Sequence, residues 1–173
     1  MRRREIAYAF RLHATRFPPQ AGRPERPVSC GIQGSTEGVL GWDFVVERMR
    51  AAHSYWVVTC SREGRPHTTP VWGLWMEQAF YFSTDARSRK ARNIEVNPSV
   101  IVHLESGNEA VILEGEARAA GEGSLIQCLS AEYFAKCAVR LEGGRVFEVK
   151  PAKALAWREW DFPWSATGFR LAP

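Results

Sequence analysis

The spacing of apolar and polar positions changes several times along the chain, and each change predicts an element. From Trp42 to His53, Phe44, Val45, Met49 and Ala52 share one helical face while Glu47, Arg48 and Arg50 turn away from it. Tyr55 to Cys60 is a short β-rich run, apolar almost throughout, as a buried strand would be. Ser61 to Arg65, with Gly64, turns into a second strand, His67 to Trp75, and Met76-Glu77-Gln78 turns into a third, Ala79 to Thr84. A short helix over Ser88 to Val96 is stopped by Asn97-Pro98. Strands follow at Val100 to Glu105 and Ala110 to Ala117, joined by Ser106-Gly107-Asn108. Leu125, Leu129, Tyr133 and Cys137 mark one face of a helix over roughly Ser124 to Val139, and two last strands, Arg145 to Lys150 and Lys153 to Trp160, flank Pro151. Regularly spaced antiparallel strands with few, short helices predict a mainly β protein, a small closed or partly closed barrel, with no internal repeat and no second domain.

The first 35 residues follow none of these patterns. Pro18, Pro19, Pro24 and Pro27 forbid a continuous helix or ladder, so residues 1–35 are expected to be a disordered extension and 36–173 the single domain. This head also explains the charge. The whole chain carries +4, with Lys+Arg 23 against Asp+Glu 19. Seven arginines and two glutamates stand in the head, which leaves the remainder at −1. A near-neutral body does not fit a surface-wide grip on nucleic acid. No stretch approaches the ~20 apolar residues of a membrane helix, and the head lacks the apolar core of a secretory signal. Cys30, Cys60, Cys128 and Cys137 form no C-x-x-C pair and have no histidine at ligand spacing, so they read as reduced thiols, with no metal site, in a cytoplasmic protein.

Two segments carry candidate chemistry. Ser83 and Thr84 end a strand, a short loop follows, and Ser88 is placed to cap a helix that opens with Arg89 and Lys90. Free N–H groups and the positive dipole end make such a terminus an anion site. Four cations, Arg87, Arg89, Lys90 and Arg92, crowd an end where cations are disfavoured, and a bound phosphate would relieve that cost; the alternative is a solvated basic turn. In Thr68-Thr69-Pro70-Val71-Trp72-Gly73-Leu74-Trp75, Pro70 removes a ladder donor. Gly73 removes a side chain between two tryptophans, as if something flat or another backbone came close; the alternative is an ordinary aromatic core strand.

The order and spacing of these segments, Gly64-Arg65-Pro66-His67, Thr69-Pro70-Val71-Trp72-Gly73, Phe80-Tyr81-Phe82-Ser83-Thr84, Ser88-Arg89-Lys90-Ala91-Arg92-Asn93, Asn97-Pro98-Ser99-Val100 and Val111-Ile112-Leu113-Glu114-Gly115, resemble the pyridoxamine 5′-phosphate oxidase-like family from about Trp42 to Trp160. The resemblance implies a six-stranded antiparallel split β-barrel, the FMN-binding split barrel, working as a homodimer with flavin at the interface. It implies that Ser83, Thr84, Arg89 and Lys90 hold the flavin phosphate, with Arg87 and Ser88 in the same loop. Thr69, Pro70, Val71 and Trp72 would lie along the flavin ring, and Trp157 would close the site from the partner subunit.

The activity implied is that of an FMN-dependent oxidoreductase passing a hydride between flavin and a small organic substrate. No side chain is compelled to act as acid or base; His67 and His103 read as structural. True pyridoxamine phosphate oxidases carry an Arg-Gln-Val run where this chain reads Glu109-Ala110-Val111, and an Arg-x-His-x-Arg signature that the tail Ser165 to Pro173 lacks. Vitamin B6 chemistry is therefore not expected. The stretch Tyr55 to Asn93 looks closer to the flavin and deazaflavin branch, which makes coenzyme F-420 the alternative cofactor. Where that branch ends in Ala-Thr-Arg-Trp, Gly168 and Phe169 replace the last two residues. A non-catalytic flavin or haem carrier or sensor on the same barrel is the alternative function.

Overall fold

Strand β2 (Ser54–Cys60) alternates half-buried and buried residues along its whole length, so one face looks into a core and the other does not. The computed structural model describes residues 18–24, 36–121, 123–141 and 143–171. In chain order the other elements are β1 (Gln20–Gly22), α1 (Trp42–Ala51), β3 (Pro66–Met76), β4 (Ala79–Thr84), α2 (Arg89–Val96), β5 (Ser99–His103), β6 (Glu109–Ala119), α3 (Ser124–Cys137), β7 (Arg145–Arg158) and β8 (Thr167–Arg170). The strands pair antiparallel in the order β1-β8-β7-β4-β3-β2-β5-β6, and β6 pairs back onto β7. Strands β2 to β7 thus close a six-stranded split barrel, and β8 and β1 extend the sheet from β7.

The interior is aromatic. Phe80 and Phe82 point inward from β4; Phe82 stacks on Phe147 with centroids 5.5 Å apart, and Phe80 meets Tyr55 at 4.6 Å. Burying each such ring contributes about 1.5–3 kcal/mol over leaving it exposed. The alternate β4 residues, Ala79 and Tyr81, are buried too, because Leu129, Tyr133 and Cys137 of α3 cover them from outside. This double cover explains why Ala79 to Phe82 is continuously apolar. Helix α1 buries Trp42, Phe44, Val45 and Met49, and Tyr55 fixes its end by donating its hydroxyl to the Ala52 carbonyl at 2.7 Å.

The expected helices and the strands of the two hairpins form within a few residues of their predicted limits. Three details differ. The last two predicted strands are one, β7, because Pro151 sits where the strand exchanges β4 for β8 as its neighbour, beside a register shift opposite Glu114 and Gly115. The proline's missing donor falls where the ladder is already interrupted. Strand β8 was not expected. Nor was β1: Gln20–Gly22, free of proline, pairs with the open edge of β8 inside the stretch read as disordered. Residues 1–17 and 25–35 of that stretch, including Cys30, lie outside the described residues.

Candidate functional site

Helix α2 is held against the β2–β3 hairpin by a buried polar chain. Asn93, only 6% exposed, donates its amide to Thr59 Oγ1 at 2.9 Å, and the Thr59 hydroxyl donates to the His67 carbonyl at 3.4 Å. The chain sets the first turn of α2 beside His67. Burial, then the charges of Arg89 and Lys90, hold the His67 pKa below its usual 6.5. Burial likewise lowers the Lys90 ammonium. Among the described residues Arg89, Lys90 and Arg92 form no ion pair. The acids nearest in sequence are engaged elsewhere, Asp85 with Arg87 and Glu95 with Arg145. The cluster is an uncompensated positive corner at a helix N-terminus, which favours an anion.

Replacing Asn93 by alanine should cost about 2 kcal/mol, because it removes a buried hydrogen bond and leaves the Thr59 oxygen without the donor it accepts from. Urea unfolding of the variant checks this. An unchanged midpoint would mean that the chain does not hold α2.

The hydroxyls divide. Ser88 caps α2 by accepting from the Ala91 N–H at 3.2 Å, and Thr84 donates to Ser88 at the same distance. Ser83 makes no side-chain hydrogen bond among the described residues and lies against Gly144, where a Cβ would stand 2.4 Å from its oxygen. Arg87 is drawn out of the cluster: its side chain pairs with Asp85 at 3.3 Å and its backbone N–H donates to the same carboxylate at 2.7 Å. Of the cations read from sequence, Arg89 and Lys90 therefore stand together at the corner and Arg87 faces solvent.

Thr69 to Trp72 lie on β3 opposite Ser54 to Val57 of β2. Thr69 Oγ1 is buried without a hydrogen-bond partner, an unusual cost that a ligand polar group would relieve. Pro70 and Trp72 lie exposed on the outer face, and Trp72 meets His53 edge-on at 5.1 Å. Gly73 is explained from within: a Cβ there would stand 2.4 Å from the Phe80 ring and 2.8 Å from the Tyr81 carbonyl. Both the flat group and the backbone inferred from sequence belong to the neighbouring strand. Trp157, on β7, packs edge-on against Phe162 at 6.4 Å. Phe169 is 1% exposed and packs against Trp42, so its ring serves the core.

Sequence reasoning gave Asn93 a place in a motif but no task, and it read His103 as structural. On the outer face His103 stacks with Trp56, and its Nδ1 lies 2.8 Å from the Leu104 carbonyl, which makes Nδ1 the protonated nitrogen.

Against known proteins, residues 42–158 match the family model described as pyridoxamine 5′-phosphate oxidase. The chain belongs to the pyridoxamine 5′-phosphate oxidase family. The matched span contains the barrel strands and α2, whereas β1 and β8 lie outside it. No curated protein gives a significant match. Among solved structures, the conserved hypothetical protein Rv2991 from Mycobacterium tuberculosis aligns with a TM-score of 0.64 at 16% identity, over 78% of this chain and 90% of that one. General stress protein 26 from Bacillus anthracis aligns at 0.56 and 20%, over 73% and 95%. HutZ, the haem storage protein of Vibrio cholerae, aligns at 0.53 and 18%, over 64% and 86%. At such identities the likeness to these three structures is one of fold.

Proposed function

We propose that this chain is a homodimeric, FMN-binding oxidoreductase acting on a small organic substrate. The observation that carries the reading is the uncompensated pair Arg89 and Lys90 at the start of α2, beside His67. A phosphate fits that corner: it would accept from Arg89, Lys90, Ser83 and the free N–H groups of the first turn. The unpartnered Thr69 hydroxyl on β3 offers a polar contact to a ring lying along the strand. When bound, the flavin supplies the hydride chemistry, while the protein anchors and orients it. Coenzyme F-420 presents the same phosphate chemistry, and competition against FMN ranks the two. The test is titration of the purified protein with FMN and with riboflavin, which lacks the phosphate. FMN is expected to bind at least tenfold more tightly, and equal affinities would remove the phosphate site from the reading.

The outer barrel face supports the dimer. Helix α3 covers β3 and β4 on one side, but Pro70, Trp72 (43% exposed) and Ile101 (36%) stay open, and Trp56, Val58 and Ile112 lie half-buried in the same pleat rows. A contiguous apolar face of this kind marks an interaction surface, and a two-fold pair would bury it isologously. Ile101→Glu, an exposed substitution that should leave the fold intact, is expected to turn a dimer into a monomer by light scattering. A wild-type monomer at micromolar concentration would sink the dimer.

One observation favours the second reading, a haem-binding carrier. The His103 Nδ1 faces the Leu104 carbonyl, which leaves Nε2 as the nitrogen available to a metal, the arrangement of a metal-ligating histidine. Turnover separates the two readings: reduction of bound flavin by NADH or NADPH rejects the carrier, whereas a haem Soret band lost on His103→Ala supports it.

A further inference from the structure

Helix α3 is joined to the barrel through glycine on both sides. Gly123 precedes it at φ +82°, and Gly143, at φ +68°, stands between it and β7. A Cβ on either would meet nothing within 4 Å, so neither joint is packed. Unlike α2, the helix has no side-chain cap at its start, and it ends on Ala138 at φ 55°, a conformation disfavoured for alanine.

Of its 14 residues only Leu129, Tyr133 and Cys137 are buried. They pack with Leu74, Ala79, Tyr81 and Val146 in a cluster of their own, outside the barrel interior that Phe80, Phe82 and Phe147 fill. Lifting α3 therefore takes that outer cluster apart and leaves the barrel core whole. Three hydrogen bonds add to the hold. Strand β2 begins at Ser54, opposite Trp72, so Gly73 has no β2 residue across from it. There α3 supplies the donors. Tyr133 donates its hydroxyl to the Trp72 carbonyl at 3.2 Å. The Lys136 ammonium donates to the Gly73 carbonyl at 3.2 Å and to the Tyr55 hydroxyl at 2.9 Å. Among the described residues no carboxylate pairs with Lys136. A half-buried ammonium held only by neutral oxygens gives up little on returning to water.

We propose that α3 is a latch that opens as a unit on its two glycine joints, held shut by Tyr133 and Lys136. Opening returns Lys136 to water, frees the carbonyls of Trp72 and Gly73, and bares Leu74, Ala79 and Tyr81. A detached helix of 14 residues is marginal in water, so its own hydrogen bonds break as it lifts. Thr69 to Trp72 lead into the freed carbonyls, and opening loosens that stretch of β3. That the stretch carries a flavin ring rests on the reading above; the latch does not.

Native-state hydrogen exchange of the full chain, measured without flavin and followed by mass spectrometry, tests this. The α3 amides are expected to exchange together, about a hundredfold or more faster than those of β4 and β7, as local opening outpaces global unfolding. Lys136→Met keeps the stem and removes the ammonium. It should speed α3 exchange about tenfold, the worth of one hydrogen bond to a charged group, with β4 and β7 unchanged. Cys137, 8% exposed on the inner face of α3, is a second reporter in the wild-type chain. Excess N-ethylmaleimide should alkylate it at a rate that low urea hardly changes, because local opening exposes little surface. Exchange of α3 no faster than that of β4, α3 exchange unmoved by Lys136→Met, or Cys137 labelling only at the rate of global unfolding overturns the proposal. The first and last of these use the wild-type chain, so a variant that fails to fold leaves both standing. With no flavin present, a failure of FMN to bind leaves the result intact.

Discussion

Replacing Arg89 and Lys90 together by alanine is expected to weaken FMN binding about a hundredfold or more while riboflavin binds as before. Charge-assisted hydrogen bonds contribute about 1.5–3 kcal/mol each, and exposure of the pair places them at the lower end; two together approach 3 kcal/mol, or roughly two decades in Kd. The fold should hold, because neither side chain has an ion-pair partner to lose among the described residues, and Ser88 still caps α2. The riboflavin arm isolates the phosphate: a loss shared equally by both flavins would mean a distorted site. FMN affinity unchanged in the double variant would place the phosphate elsewhere.

Gly115→Ala should be the most damaging single methyl in the barrel. A Cβ there would stand 2.2 Å from the Lys150 carbonyl oxygen and 2.8 Å from the Pro151 Cα, both backbone atoms. No rotamer change relieves such a contact, so β6 and β7 must part at the register shift that sets where β7 changes neighbours. The cost of overpacking against backbone is about 3 kcal/mol, equivalent to a fall in Tm of about 6–12 °C for a domain of this size. Gly107→Ala is the control, because a Cβ on Gly107 meets nothing within 4 Å, and its Tm should stay near wild type. Equal melting of the two variants would show that the bulge can open without loss.

These two sites also show how far the sequence could be read. The helix faces and barrel strands were legible because each apolar run has one period and one partner layer, as with Leu129, Tyr133 and Cys137 in α3. Strand β8 was not, since Thr167-Gly168-Phe169-Arg170 is short, and one of its two partners, β1, lies well over a hundred residues earlier in the chain. At the candidate site, the cation cluster was legible as composition, but its division was not. Only the Asp85 contact shows that Arg87 leaves the cluster, and only the Asn93–Thr59 bond shows what aims α2. Local sequence counts charges; it does not say which carboxylate takes which. The Gly73 signal was sound in kind and misdirected in object, because a close approach reads alike whether Phe80 or a ligand makes it.

The many neighbours of β7 bear on the order in which the protein can be made. As a ribosome releases the chain, β2, β3 and β4 emerge early and can pair at once as successive hairpins, and β5 and β6 can do the same. Until Arg145–Arg158 arrives, however, β4 and β6 each keep an open edge, and both wait for the same strand. Such edges invite pairing with other nascent chains, and late, long-range closure slows folding. The sheet is complete only when β8 finds β1, a segment that left the ribosome well over a hundred residues earlier. Synthesis from one end thus leaves this barrel open for most of its making.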